Sequence, residues 1–391
     1  MSTTLKADQT ARLARITWGV MLAVLVAAPF IGLYPVFLMK ALCYAIFGYR
    51  LLREDALIAD HHAAWDIQLR QALASRAVAR AGGHTSLQDK PYLQLLTFTL
   101  SALAVLGTLG QDPLDDVVRP LIPRDIGTDL RAARVMDGVA RSGNHAMFLG
   151  ILLLHARDQL GIQTQPSIDR WLSLHLGSIN RFGFWGPDRS MSHLQFQNGY
   201  HQYELLEYLH ADGVPWVKAA DAVASLADLE GHFAPYPGGG GCYDYDAVFV
   251  LTASLEAAAR HAGLLARTAA TLLTEQQSDG GFCESLRVRP RSLDNLARSC
   301  SHALAAKGQA RLERLRQAVT LLRPKHDRMH THWSHYSRGW GESNLWDSWF
   351  RMLALARIDC AVNPLHAADW GFIDYPGIGF HPSVSTQSAA T

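Results

Sequence analysis

Residues 233–254 read FAPYPGGGGCYDYDAVFVLTAS, an aromatic and proline-rich approach, four consecutive glycines, and two aspartates opening an apolar run. Glycines 238 to 241 interrupt any regular element, and the run after them continues long enough for a helix, so the stretch predicts a loop followed by a helix with Asp244 and Asp246 near its start. Acidic residues in a first turn are favoured by the helix dipole, so plain capping of the helix is one reading of the pair. A phosphate-binding P-loop is excluded, because no Lys-Ser/Thr follows the glycines.

The same loop-to-helix arrangement recurs. RFGFWGPD around Gly183 leads to NGYHQYELLEYL, SDGGFCES around Gly281 leads to LDNLARSCSHALA, and SRGWGESN around Gly341 leads to NLWDSWFRMLALA. Between them lie IDRWLSLHLGSI, WVKAADAVASLADL, LLARTAATLLTEQ and ARLERLRQAVTLL, which read as partner helices. The loop glycines are about 40 to 60 residues apart, a spacing suited to helical-hairpin repeats. No segment alternates strongly enough to demand a strand, and the chain reads as all-α.

Apolar residues make up 49% of the 391 and charged residues only 18%, so a membrane segment or a thick helical core must absorb the surplus. A net charge of +1 gives no field that would gather nucleic acid. Cys43, Cys242, Cys283, Cys300 and Cys360 are scattered without a CxxC pair. From Ile16 to Met39 the chain carries no charge, which is enough to cross a bilayer as a helix, and no small-residue cleavage site ends the run. A retained N-terminal transmembrane helix is therefore expected, with the lipid bilayer as a partner. Lys6, Arg12 and Arg15 before it balance Lys40, Arg50 and Arg53 after it, so the side of the membrane stays open. A second uncharged stretch, Tyr92 to Gly110, reads either as another membrane hairpin or as a buried helix. The expected organisation is a polar start and anchor over 1–49, a helical segment over 50–129, the repeats over 130–385 and a disordered tail over 386–391.

The segment LLTEQQSDGGF, Leu272 to Phe282, resembles the helix end and turn of the prenyltransferase and squalene oxidase repeat, with Gln276, Asp279, Gly280, Gly281 and Phe282 in the signature places. That resemblance implies an α/α toroid over about residues 130–385, as in protein prenyltransferase β subunits and triterpene cyclases, with an inner helical barrel wrapped by outer helices. It also implies that the first-turn residues after each glycine loop converge on one pocket. These are Tyr200, His201, Tyr203 and Glu204 from one helix, and Tyr243, Asp244 and Asp246 from the next. Asp294 and Arg298 come from the third, and Asn344, Trp346 and Asp347 from the last, with Trp340 in the preceding loop. Separately, APFIGLYPVFLMKALCYAIFGY resembles the first transmembrane segment of branched-chain amino acid ABC permeases, and nothing after Tyr49 continues that likeness.

Aromatic faces beside a few carboxyl groups suit a carbocation or an apolar ligand, and a carboxyl in an apolar site keeps its proton as an acid. Class II terpene cyclases carry Asp-x-Asp-Asp on such a helix; Asp244-Tyr245-Asp246-Ala247 keeps two of the three. The resemblance implies Asp246 as proton donor, Asp244 as its orienting partner and His201 beside them, in a membrane-anchored, terpenoid cyclase- or prenyltransferase-like protein acting on an isoprenoid or other largely apolar molecule. Asp244→Asn and Asp246→Asn are both expected to abolish turnover with folding nearly intact. No cofactor is expected, zinc and magnesium being the metals left open. Gly240 stands where the Asp of a prenyltransferase Asp-x-Cys pair would precede Cys242, and His302 follows Cys300 without the expected partner. His330, His332 and His335 read as hydrogen-bonding or substrate-binding groups. Two alternatives stand beside this reading. One is a polysaccharide lyase or glycosidase on a similar toroid, using Tyr and His from Asn144-His145, Tyr200-His201 and His335-Tyr336, with Trp185, Trp340 and Trp346 stacking on sugars. The other is a ligand-binding scaffold without chemistry.

Overall fold

A computed structural model describes residues 35–74, 85–188, 191–235, 238–285 and 341–377, His381, and short pieces or single positions between 297 and 339. The expected anchor lies outside the described residues up to position 34, as do the tail after His381 and Asp294, Arg298, His302, His332, His335, Tyr336 and Trp340.

Helices dominate. They are α1 (Pro35–Leu51), α2 (Asp55–Ala74), α3 (Lys90–Leu106), α4 (Asp115–Val118), α5 (Ile126–Ala132), α6 (Ser142–Asp158) and α7 (Gln165–Gly177). There follow α8 (His193–Tyr208), α9 (Trp216–Ala224), α10 (Gly241–Thr252), α11 (Leu255–Arg260), α12 (Ala262–Thr274) and α13 (Leu345–Val362). Among the described residues, strands are confined to two short antiparallel pairs, β1 (Phe282–Cys283) with β4 (Ser343–Asn344) and β2 (Arg328–His330) with β3 (Ser337–Gly339).

Six helices touch in a cycle. α1 packs on α3, α3 on α6, α6 on α8, α8 on α10, α10 on α13, and α13 back on α1. The remaining long helices lie against members of that cycle, α2 on α1 and α3, α7 on α6, α9 on α10 and α12 on α13. Sequence pattern explains the division. α6 is buried continuously from Ser142 to Ala156, and α10 and α13 are buried almost throughout, as helices apolar on all sides must be. α7 buries only Ile168, Trp171 and His175, and α12 only Leu265, Thr268 and Leu272, each a single stripe at i, i+3 and i+7.

The six helices of the cycle run in one direction. Near their N-termini, Lys40 of α1 donates to Gln94 of α3 at 2.9 Å, and a Cβ on Gly143 of α6 would strike the Asn198 carbonyl of α8. Near their C-termini, Arg357 of α13 reaches Glu207 of α8 at 2.5 Å and Thr252 of α10 at 3.3 Å. The chain after α13 then crosses these C-terminal ends. Gly371 N–H donates to the Leu51 carbonyl at 2.9 Å, the Tyr375 hydroxyl meets His155 Nδ1 at 3.1 Å, and His381 Nδ1 meets Glu207 at 3.0 Å.

Two expectations change. The uncharged stretch from Tyr92 to Gly110 is the buried helix of its two readings, since α3 packs on α1, α2 and α6 and its Thr97 and Ser101 hydroxyls bond carbonyls four residues back. Among the described residues no helix is long and apolar enough to cross a membrane. The boundary expected near 130 falls inside one hydrophobic core that runs from Cys43 to Tyr375, because α1 and α3 belong to the same cycle as the later helices.

Candidate functional site

The four-glycine loop is pinned from below by Asp228, whose carboxylate accepts from the backbone N–H groups of Gly238 at 2.8 Å and of His232 at 2.9 Å. Gly240 takes φ +117°, a region closed to most side chains. At Gly241 any Cβ would collide with the Asp347 carboxyl, so α10 and α13 begin in direct contact. Asn344 caps α13 by accepting from Asp347 N–H at 3.0 Å while its own amide donates to the Asp347 side chain.

The two aspartates of α10 part company, because residues two apart on a helix point about 200° apart. Asp244 faces outward into a buried tetrad. It accepts from Phe233 N–H at 2.8 Å, pairs with His232 Nδ1 at 2.8 Å and bonds the Arg351 guanidinium. Glu275 completes the group, 3.2 Å from His232 Nε2 and 3.0 Å from Arg351. Burial alone would push His232 down, but the two carboxylates outweigh it and hold the imidazolium up to about 10. Two cations and two anions thus tie α10, α12, α13 and the 231–233 loop together. The expectation that Asp244→Asn would leave folding nearly intact is corrected on this ground, since removing one member strands buried charge.

Asp246 faces the other way. It is 1% exposed, and its Oδ2 accepts no hydrogen bond from the described residues. Burial first, then the neighbouring Glu204 and Asp244, hold its carboxyl well above the usual carboxylate range, which favours its protonated form. The Tyr200 hydroxyl donates to Glu204, one turn along α8, and the Tyr200 ring stands edge-on to Tyr245 at 5.8 Å and Phe249 at 5.4 Å.

His201 is joined across the cycle to α6, where Asn144 Nδ2 donates to its Nε2 at 2.6 Å. That bond places the ring proton on Nδ1, which meets no acceptor among the described residues. Burial, helped by Lys90, holds His201 well below its ordinary value, and burial brings His145 down to about 4, so both imidazoles are neutral. Neither ring nitrogen of His145 has a partner among the described residues. Cys242 is a thiol rather than a thiolate, because burial, followed by Asp246, Glu284 and Asp347, raises it well above the usual thiol value. His201, Cys242, Tyr243 and Trp346, on helices of the cycle, are each half-buried.

Not every expected residue joins this group. α8 begins at His193, so Tyr200 to Glu204 occupy its second and third turns rather than its first. Tyr203 turns outward, its hydroxyl donating to the Gly183 carbonyl and its ring packed on Phe184, Trp185 and Trp216. Trp185 is 1% exposed and its indole N–H donates to the His175 carbonyl at 2.9 Å, so no sugar stacks on it. Trp346 stands edge-on to Tyr44 at 5.3 Å and to Phe350 at 4.8 Å. The Tyr243 ring lies 6.5 Å from Phe196. Sequence reasoning missed Tyr44, Lys40, Lys90, His232 and Arg351. Lys90 had a visible signal, being one of six lysines in a chain with thirty arginines. Among the described residues no three His, Cys, Asp or Glu side chains gather as a metal site requires.

Comparison of the chain with protein-family models, with curated proteins and with solved structures finds no match.

Proposed function

We propose that this protein is an α/α toroid enzyme that performs acid catalysis on an isoprenoid-like, largely apolar substrate, with Asp246 as the proton donor. The toroid reading is supported by the cycle of six helices running one way, by the single-stripe helices set against them, and by the turn after α12. In that turn Gln276 donates to the Gly280 carbonyl at 3.0 Å, Gly281 N–H donates to Asp279 at 2.9 Å, and Gly280 takes φ +88°.

The observation that carries the chemistry is a carboxyl, Asp246, buried near the Tyr200 and Tyr243 rings with its Oδ2 unpartnered among the described residues, where burial favours the protonated form. Such an acid has no better resting partner than the substrate, and its proton goes to an alkene carbon or to the oxygen of an alcohol or carbonyl. Tyr44, Tyr243 and Trp346 supply π faces for the positive charge that then develops. Lys90, which lies near enough to favour the Asp246 anion, stabilises the carboxylate left behind. Asp244 contributes by its charge, which helps to keep Asp246 protonated, while its hydrogen bonds serve the tetrad.

The Asn144–His201 bond is the feature that favours the polysaccharide lyase reading. Against it, the Tyr200 hydroxyl is given to Glu204 and the residue is 1% exposed, so it is not placed to act as a base on a sugar ring. Incubation with isoprenoid alcohols and diphosphates, beside uronate-containing polysaccharides, separates the two. Product by gas chromatography and mass spectrometry is expected from an isoprenoid and lost in Asp246→Asn. Full activity in that variant, or turnover of the polysaccharides alone, would refute the proposal.

A further inference from the structure

A chain that draws its positive charge from thirty arginines and only six lysines nevertheless buries two of the six, Lys40 and Lys90, on the adjoining helices α1 and α3. Arginine never sheds its proton in a protein, whereas lysine does when its surroundings oppose the charge. Lys40 is satisfied by Gln94. The Lys90 ammonium makes no hydrogen bond or ion pair with the described residues, although the residue is only 9% exposed. Lys90 is the first residue of α3, where the helix dipole also disfavours a cation. The preceding Asp89 is turned back to Ser86, accepting from its N–H at 2.8 Å and its hydroxyl at 3.2 Å. The groups acting on Lys90 are Cys242, Arg141 and Asp246, with Lys40 and His201 also near. Burial, seconded by Arg141, brings its amine down to about 8. An amine held this way, unpaired among the described residues beside a second buried lysine whose own amine burial and Lys90 bring down to about 7, and beside the buried Asp246 carboxyl, has the surroundings of a nucleophilic lysine.

We propose that Lys90 binds substrate covalently, forming an imine with the carbonyl group of an apolar aldehyde or ketone. This rests on the reading of an apolar, acid-catalysed site and adds the functional group the substrate presents. The Nζ lone pair attacks the carbonyl carbon as the C–O π pair moves to oxygen, and one nitrogen proton passes to that oxygen. Asp246 then protonates the hydroxyl, the C–O bond breaks and water leaves. The iminium returns a proton to Asp246, so one amine and one carbonyl give one imine and one water with no change of oxidation state.

Reductive trapping tests this on the full chain. The protein is incubated at about pH 8 with sodium cyanoborohydride and either citral, an isoprenoid aldehyde, or propanal, and the labelled lysine is identified by peptide mass mapping. At that pH an amine titrating near 8 is unprotonated roughly a hundredfold more often than an ordinary lysine. Lys90 is therefore expected to take up citral at least about tenfold faster than the exposed Lys218. Lys90→Arg should lose that adduct; if the variant does not fold, the wild-type map still identifies the residue. Labelling at Lys40 in place of Lys90, or at Lys218 as fast as at Lys90, overturns the assignment. Propanal at Lys90 with citral excluded supports the imine and refutes the apolar-substrate reading. No adduct at Lys90 from either aldehyde refutes the imine alone, since acid catalysis by Asp246 is tested separately by Asp246→Asn.

Discussion

Replacing Lys90 by methionine should make the protein more stable. The fold lowers the amine from 10.5 to about 8, and each unit corresponds to about 1.4 kcal/mol, so near neutral pH the folded state carries a penalty of about 3 kcal/mol for keeping the ammonium inside. Methionine has a similar length without the charge, and exchanging buried charge for apolar side chains is often stabilising by about 1–4 kcal/mol. For a chain of this size the melting temperature should rise by roughly 4 °C. The penalty is full below the folded value near 8 and disappears above 10.5, because between those limits the unfolded chain holds a proton that the folded chain does not. Urea unfolding followed by circular dichroism should show the variant ahead of wild type at neutral pH, with the gap closing as pH rises from about 8 to 10.5. A variant less stable by more than about 1 kcal/mol, or a gap that ignores pH, would show that Lys90 is satisfied by its surroundings and would remove the reason for treating it as a poised amine.

Asp246→Asn should abolish turnover and leave the urea midpoint unchanged or slightly raised, because burial favours the neutral form of the carboxyl it replaces. Asp244→Asn, two residues earlier, should instead cost about 3–5 kcal/mol in the same titration, by leaving Arg351 and His232 with one carboxylate between them. Gly241→Ala should destabilise by roughly 1–3 kcal/mol, since its methyl group meets the Asp347 carboxyl where α10 and α13 start together.

Single-stripe helices were the most legible part of the chain. In α7 and α12 the buried residues repeat at helical spacing against polar neighbours, and periodicity reads them directly. The glycine loop was legible for a similar reason, because four residues without side chains have few roles beyond a turn or a close approach. Helices of the cycle were harder to place. α3 is buried along nearly all its length, and an uncharged helix buried among other helices has a composition close to that of a membrane span, so the segment from Tyr92 to Gly110 could be read either way. The aspartate pair carried a signal that went unused: positions two apart cannot face the same cavity on a helix, so Asp244 and Asp246 had to have different roles. Which of them faces inward depends on Arg351, more than a hundred residues away, and no local pattern announces that partner.

The two ends of the cycle use similar side chains to opposite effect. At the C-terminal end, Glu207 is held by Arg357 at 2.5 Å and His381 at 3.0 Å, and His155 bonds Tyr375 at 3.1 Å and the Pro113 carbonyl at 2.8 Å. Arg357 also lies 4.2 Å over the Phe249 ring and donates to the His381 carbonyl at 3.2 Å. Apart from the far nitrogen of His381, that polar cluster closes on itself. Toward the N-terminal end, the Tyr44 hydroxyl, both nitrogens of His145, Nδ1 of His201 and Oδ2 of Asp246 are buried without a partner among the described residues. Each such atom costs about 1–3 kcal/mol if nothing bonds it, a sum no marginally stable fold carries idly. What bonds them therefore lies beyond the described residues, in the rest of the chain, in solvent or in a ligand. A ligand serving these groups needs polar atoms at one end, while the rings of Tyr44, Tyr243 and Trp346 call for an apolar remainder. In the imine proposed above, the same division of polarity would link Asp246 to Lys90: one would supply a proton and the other a lone pair, and a carbonyl group is a polar end that accepts both.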